Sequence, residues 1–438
     1  MRRTLSTTVA ILLCSVAAIC FTQANDPTSL TRYTGSYSLG GNNFIWIVVA
    51  GDTLIFGESV DGRSGRLVSV SGTKFIAGPA LGVDSPVAIT AEFVANDRGE
   101  IESVKWKRGA RAEQVAQKVK LKEEEVRFQN GNITLAGTLY LPPAKGPHPA
   151  MVLVTGSGPA RRDQFGGFPQ MFASMGVATL IYDKRGCGSS TGTFYDSLPI
   201  EELAKDALAG VEYLRSRADI DPRQVGMRGD SQGGWVVPYA AAQSRNVAFV
   251  IVKSASSLNT WDNGLFEMEN DLRLEGFSES DIGKAREIGA LFNEMLFDKG
   301  ESWTRLRAAI ESAKTEKWFR LARVPDSLPE TPAAGNLRWV EQERKTLFDP
   351  QPYWSNIQVP VLVVNGGLDR NVPGKESAIQ IEQLLKKAGN KNVTIKFFSN
   401  ADHQLWKVSK LGQRDGRSNQ VGVYQEIISW LAANTRRN

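Results

Sequence analysis

Val225-Gly226-Met227-Arg228-Gly229-Asp230-Ser231-Gln232-Gly233-Gly234-Trp235-Val236-Val237-Pro238 is the stretch on which the fold of this chain turns. A short strand over 225–227 runs into Gly-x-Ser-x-Gly, and the following residues suit a helix over 232–243. A strand-to-helix reversal this sharp leaves no room for bulky neighbours, so glycines flank the serine. The same turn lifts the hydroxyl clear of the backbone and aims the helix's first amides at the space above it. The spacing recurs at Gly188-Ser189-Ser190-Thr191-Gly192. There the serine follows the loop Lys184-Arg185-Gly186-Cys187 and precedes Phe194-Tyr195-Asp196-Ser197-Leu198-Pro199, with no strand before it and no helix after it. Context therefore selects Ser231 over Ser190 as the candidate nucleophile.

A serine hydroxyl needs an adjacent base at neutral pH. The chain has two histidines. His148 sits between Pro147 and Pro149, ahead of a strand, where a surface-loop role is expected. His403 follows the last strand, in Ser399-Asn400-Ala401-Asp402-His403-Gln404, at the carboxyl end where parallel sheets build sites. A base needs an acid to fix its tautomer. Val361-Leu362-Val363-Val364-Asn365-Gly366-Gly367-Leu368-Asp369 supplies a strand, a turn and the acid Asp369, with Asp402 as its rival. Thr155-Gly156-Ser157-Gly158-Pro159 follows another strand and is placed to lend a second amide, so the backbone N–H groups of Ser157 and Gln232 are the oxyanion-hole candidates. A phosphate-binding loop is excluded there because no Gly-Lys-Ser/Thr follows.

Outward from this core, strands are expected at 124–128, 133–141, 150–154, 178–182, 225–227, 249–253, 360–365 and 393–398. Helices are expected at 164–175, 200–216, 232–243, 375–387 and 420–433. Their alternation predicts an α/β fold with a mostly parallel sheet covered on both faces. Gln129-Asn130-Gly131-Asn132 reads as a hairpin turn. Between residues 258 and 352 the alternation stops in a charged, helix-patterned stretch rich in aromatics, among them Trp261, Phe292, Trp303, Trp318 and Trp339, with Trp354 just past its end, which predicts a helical cap inserted after the sixth strand. Residues 28–118 instead show short apolar runs at 44–49, 53–56, 67–70, 87–93 and 101–105, separated by Gly40-Gly41, Asp61-Gly62 and Asn96-Asp97-Arg98-Gly99, a small all-β barrel or sandwich. The expected division is a signal peptide over 1–24, an accessory β-domain over 25–119, the core over 120–257 and 353–438, and the cap over 258–352.

The N-terminus has the form of a secretory leader, with Arg2 and Arg3, an apolar run over 9–21, and Thr22-Gln23-Ala24 as a cleavage site. The run is shorter than the ~20 apolar residues of a spanning helix, so cleavage and an exported, periplasmic or secreted product are expected, with a lipidated Cys20 as the lesser alternative. Loss of the two arginines takes the formal charge from +5 to +3, and loss of Cys14 and Cys20 leaves Cys187 without a disulfide partner. The charge excess is small and scattered, with Arg161-Arg162 its nearest approach to a patch, and gives no ground for a nucleic-acid partner. No metal cluster or cofactor motif stands out, so none is expected.

Four motifs over 124–435 resemble the bacterial α/β-hydrolase esterases related to the prolyl-oligopeptidase branch. They are Gly156-Ser157-Gly158-Pro159 with Arg162-Asp163; Tyr182-Asp183-Lys184-Arg185-Gly186-Cys187-Gly188-Ser189 with Thr191-Gly192; the elbow to Gly234 with Pro238; and Gly366 to Asp369 with His403. The order Ser231, Asp369, His403 is that of the superfamily. The residues over 28–118 are similar to lipocalin-like modules fused to some bacterial serine hydrolases. Where the family usually has His before the Gly-Ser-Gly turn and before the nucleophile, this chain has Thr155 and Asp230, and Arg228 stands where the strand is usually apolar. The resemblance implies hydrolysis of a small-molecule acyl ester through an acyl-enzyme, with peptide or thioester cleavage on the same triad as one alternative and an envelope ligand-binding protein with a vestigial hydrolase as another.

Overall fold

The structure, a computed structural model, describes residues 30–41, 43–50, 52–59, 63–79, 83–195, 198–298, 301–331, 338–413 and 422–435. The leader with Arg2, Arg3, Cys14 and Cys20, and the turn Asp61-Gly62, lie outside them.

Strands β1 (Gly35–Gly40), β2 (Asn43–Ala50), β3 (Thr53–Glu58), β4 (Ser64–Ser71), β5 (Lys74–Ala77), β6 (Ile89–Ala95), β7 (Ile101–Arg108) and β8 (Gln114–Lys118) close into an antiparallel barrel, with β1 pairing β8. Closure leaves no free strand edge. The interior is filled by Tyr37, Ile45, Ile47, Phe56, Phe75, Phe93 and Trp106 among others. Of the strands absent from the sequence expectation, β8 buries only Ala116 and β1 is built largely of Gly and Ser, so neither carries an apolar run. In β2 both faces are covered. Ile45 and Ile47 face the barrel core, while Trp46 joins the core of the neighbouring layer. Its indole lies over Gly57, the residue opposite in β3, where a Cβ would come within 1.9 Å of the ring.

The second layer is a sheet of β9 (Lys122–Asn130), β10 (Ile133–Leu141), β11 (His148–Val154), β12 (Ala178–Tyr182), β13 (Ile220–Asp230), β14 (Val250–Lys253), β15 (Val361–Gly366) and β16 (Val393–Phe398), in the order β16-β15-β14-β13-β11-β12-β10-β9. β9, β10 and β12 pair antiparallel, and the ladder from β12 to β16 is parallel. Every residue of β12, β14 and β15 is buried. That explains their predominantly apolar sequences, because helices cover both faces. One face packs on α1 (Phe168–Ser174) and α10 (Val423–Asn434), the other on α2 (Ile200–Arg215), α3 (Gly233–Gln243) and α9 (Gly374–Lys387).

Three expectations are corrected. His148 is not in a surface loop: it opens β11 and is buried, its amide donating to Asp219 O at 2.9 Å. The helix expected at 164–175 is broken by Gly166-Gly167 into a 3-10 turn (Arg162–Phe165) and α1. Helices α4 (Thr260–Leu274), α5 (Glu279–Phe297), α6 (Trp303–Ala313) and α7 (Arg338–Thr346) between β14 and β15 enclose their own core, with Phe292, Trp303 and Trp318. Trp354, in the short α8 (Gln351–Trp354), is instead packed into the sheet's core with Phe348. Among the described residues no helix is long and apolar enough to cross a membrane.

The barrel meets the sheet layer through Trp46, whose ring stands edge-on to Phe168 at 4.9 Å between centroids. Trp46→Ala should cost about 3–5 kcal/mol, the range for deleting a buried Trp. Denaturant unfolding followed by far-UV circular dichroism checks this, and an unchanged midpoint would show that the junction adds no stability.

Candidate active site

Ser231 stands at the end of β13 with φ at 56°, a left-handed backbone that a serine adopts only where its surroundings enforce it. Glycine is required on both sides. A Cβ on Gly229 would lie 2.1 Å from Gly233 O, and one on Gly233 would lie 2.7 Å from Val154 O. The turn is locked by Ser231 N donating to Lys253 O at 2.9 Å and Gly234 N donating to Ser231 O at 2.7 Å.

His403 Nε2 lies 3.0 Å from Ser231 Oγ, and its Nδ1 lies 2.9 and 2.8 Å from the two carboxylate oxygens of Asp369. The imidazole is 17% exposed, and the Asp369 side chain is fully buried. Asp369 Oδ1 also accepts from the amides of Asn371 (2.8 Å) and Val372 (3.0 Å). Asp402 is turned elsewhere: its Oδ1 accepts from the amides of Gln404 and Trp406, both at 2.9 Å. Ser190 is also otherwise engaged, buried and donating to Asp183 O at 2.6 Å while accepting from Ala136 N at 2.9 Å. Gly156 passes so close to the elbow that a Cβ there would stand 3.7 Å from Ser231 Oγ. This puts the turn carrying Ser157 beside the serine, with Gln232 next to it in the chain.

Several residues to which the sequence assigned no role support this arrangement. Arg228 and Asp230, two apart on a strand and so on one face, form a pair with contacts of 3.1 and 2.9 Å. Arg228 is buried and sits over the rings of Phe172 and Tyr424, at 5.4 and 5.7 Å. Burial disfavours its charge, but Asp230 and Tyr424 hold the guanidinium above its ordinary range. Lys253 adds a second cation 3.6 Å from Asp230, so the carboxylate next to Ser231 is countered rather than bare. The period-two spacing of opposite charges was the available signal for this pair. Ser254, itself at φ 52°, donates its hydroxyl to His403 O at 2.7 Å and so holds the histidine loop. From the inserted helices, Asn263 and Asn270 of α4 donate to the carbonyls of Asn371 (3.1 Å) and Arg370 (2.9 Å) and brace the loop that carries Asp369. Lys184, buried after β12, donates to Gly156 O (2.7 Å), Gly158 O (3.0 Å) and Gln232 Oε1 (3.2 Å). Burial pulls its ammonium down to about 8. The pair Arg161-Arg162 makes no basic patch, since Arg161 meets Asp163 at 3.0 Å and Arg162 meets Glu125 at 2.7 Å.

A mostly parallel sheet of this order, with a serine on a strained elbow after its fifth strand and a histidine beyond its eighth, defines an α/β-hydrolase fold and places the chain in the serine hydrolase superfamily. Residues 130–404 match the family described as X-Pro dipeptidyl-peptidase (S15 family), and the chain belongs to it. The chain is also similar to the quorum-quenching protein AidA of Acinetobacter baumannii, 33% identical over 127 residues, covering 29% of this chain and 42% of that protein. It is 25% identical over 329 residues to the esterase EstD of Thermotoga maritima, covering 69% of this chain and 68% of that one. The chain thus spans less than half the length of the first relative and about two thirds of the second. Among solved structures, the acylaminoacyl peptidase of Pyrococcus horikoshii superposes with a TM-score of 0.45 at 17% identity, over 90% of this chain and 56% of that one.

Gly229→Ala should disrupt the elbow, because its methyl group would overlap a backbone carbonyl that no rotamer change can move. The expected result is loss of reaction with a serine-directed fluorophosphonate probe, together with a lower thermal midpoint. Wild-type labelling by G229A would show that the turn tolerates a side chain there.

Proposed function

We propose that this chain is a carboxylic ester hydrolase working through an acyl-enzyme, with Ser231 as nucleophile, His403 as base and Asp369 as the acid that orients it. The observation that carries the reading is the position of His403, with one ring nitrogen on Ser231 Oγ and the other on Asp369. The imidazole takes the serine proton as the oxygen attacks the acyl carbon, and Asp369 stabilises the resulting imidazolium. Ser157 and Gln232 N–H groups receive the oxyanion, His403 then protonates the leaving alcohol, and water releases the acid by the reverse route. The esterase EstD, similar over two thirds of its length, favours an ester substrate. The leader over residues 1–24, outside the described residues, supports an exported protein.

A second reading keeps the same residues and cleaves a peptide after an N-terminal X-Pro unit. The description of the S15 family favours it. Turnover of p-nitrophenyl acetate against Gly-Pro-p-nitroanilide separates the two. An ester preference of less than tenfold in kcat/KM would shift the assignment to the peptidase.

Ser231→Ala should abolish turnover of either substrate with the circular dichroism spectrum intact, and unchanged turnover would sink the assignment. Asp369→Asn should lower kcat on the order of 10⁴-fold by favouring the wrong tautomer of His403. Asp402→Asn, whose oxygen can still accept from Gln404 and Trp406, should stay within a few-fold of wild type. Equal losses in the two variants would reassign the acid.

A further inference from the structure

The residues proposed to receive the oxyanion are backbone amides, and an amide is only as well aimed as its peptide plane. The plane that carries Ser157 N–H also carries Gly156 C=O. In a trans peptide the two point in opposite directions. Whatever holds Gly156 O therefore sets the direction of Ser157 N–H. In this structure that group is Lys184 Nζ, 2.7 Å away.

The same ammonium holds the next carbonyl but one. Gly158, at φ 80°, accepts from Nζ at 3.0 Å, so Lys184 bridges the turn across the residue whose amide is in question. Its third contact is Gln232 Oε1 at 3.2 Å, the side chain of the residue that supplies the other amide. An ammonium has three N–H donors and no acceptor, and here it meets three acceptors, all belonging to the two segments that border Ser231. Lys184 is itself fixed from both ends: its amide donates to Ala160 O at 3.0 Å and its carbonyl accepts from Cys187 N at 2.9 Å. The ring of Phe194 lies 5.6 Å from Nζ. Burying an ammonium that meets no carboxylate among the described residues is costly, and burial does draw this one down to about 8, so its retention needs a compensating role.

We propose that Lys184 is a positioning residue for the reaction, and that by holding Gly156 O, Gly158 O and the Gln232 side chain it aims the Ser157 and Gln232 N–H groups at the acyl oxygen. The proposal rests on the serine-nucleophile reading above. It assigns Lys184 no contact with substrate and no proton transfer.

The test is Lys184→Met, which keeps the length and removes the donors. Kinetics with p-nitrophenyl acetate and the rate of fluorophosphonate labelling of Ser231 are compared with wild type. Losing one oxyanion donor outright costs about 10²–10³ in kcat, so misaiming should cost about 10- to 100-fold, with KM within about twofold. Labelling, whose phosphonyl oxygen occupies the oxyanion position, should slow in parallel, while mass spectrometry still finds the label on Ser231. Lys184→Gln carries the test if the Met variant does not fold, since its amide can donate to the carbonyls without the charge; its kcat should fall at least about threefold below wild type. Wild-type kcat and labelling in a folded variant would overturn the proposal, as would a loss confined to KM. If the wild-type protein itself is not labelled at Ser231, the nucleophile assignment fails and takes this one with it.

Discussion

The backbone of Ser231 cannot take its left-handed turn unless two other strand ends come to it. Gly233 presses on the carbonyl of Val154 at the end of β11, Gly229 presses on Gly233, and Ser231 N needs the carbonyl of Lys253 at the end of β14. The elbow thereby fixes β11, β13 and β14 with their carboxyl ends at one edge, in the order the sheet shows. From that edge the Gly-Ser-Gly turn after β11 reaches the serine on one side. The loops after β15 and β16, with Asp369 and His403, reach it on the other. One strained residue thus sets the geometry within which every other part of the site is placed.

Polar groups buried around this edge act as fasteners rather than as reagents. Asp183 accepts from the amides of Arg162 and Ser189, both at 2.9 Å, and so ties the turn after β11 to the loop after β12. Arg185 grips Asp206 through two contacts of 2.6 and 2.7 Å and anchors that loop to α2. Asn365 bonds Ala255 on both its amide and its carbonyl, joining the ends of β14 and β15. Each is satisfied within the fold, which is how a buried polar group avoids its desolvation cost. The Asp-Lys-Arg-Gly-Cys-Gly loop is thus less a binding motif than a bracket, and Cys187 lies buried in it as a free thiol.

How much of this could be read from the chain depended on which interactions leave a periodic trace. The strands at 133–141, 178–182 and 393–398 coincide with β10, β12 and β16, because an apolar run between turn residues has few other uses. The serine, histidine and aspartate could be named because glycine spacing, a count of two histidines and strand-end position are all one-dimensional facts. β1 and β8 left no such run, that of β5 is only Phe75-Ile76-Ala77, and in β2 the alternation vanished because Trp46 and Ile47 are both buried, on opposite faces. The fate of His148 and of Trp354 depended on what packs against them from far along the chain. The braces from Asn263 and Asn270 span 100 residues or more and leave no local signature at all.

One line of contacts crosses the whole molecule. Trp46 of the barrel meets Phe168, Phe168 stacks on Tyr424 at 4.0 Å between centroids, Tyr424 lies over Arg228, and Arg228 grips Asp230, the neighbour of Ser231. The barrel is therefore a retaining wall for the hydrolase rather than a passenger. A protein trimmed to residues 120 onward would trade the interface at Phe168 and Gly167 for open water and would leave the stack behind Ser231 without its outermost ring. Swapping the barrel for another module would demand replacements for the indole of Trp46 and for Val48, which both close on Gly167.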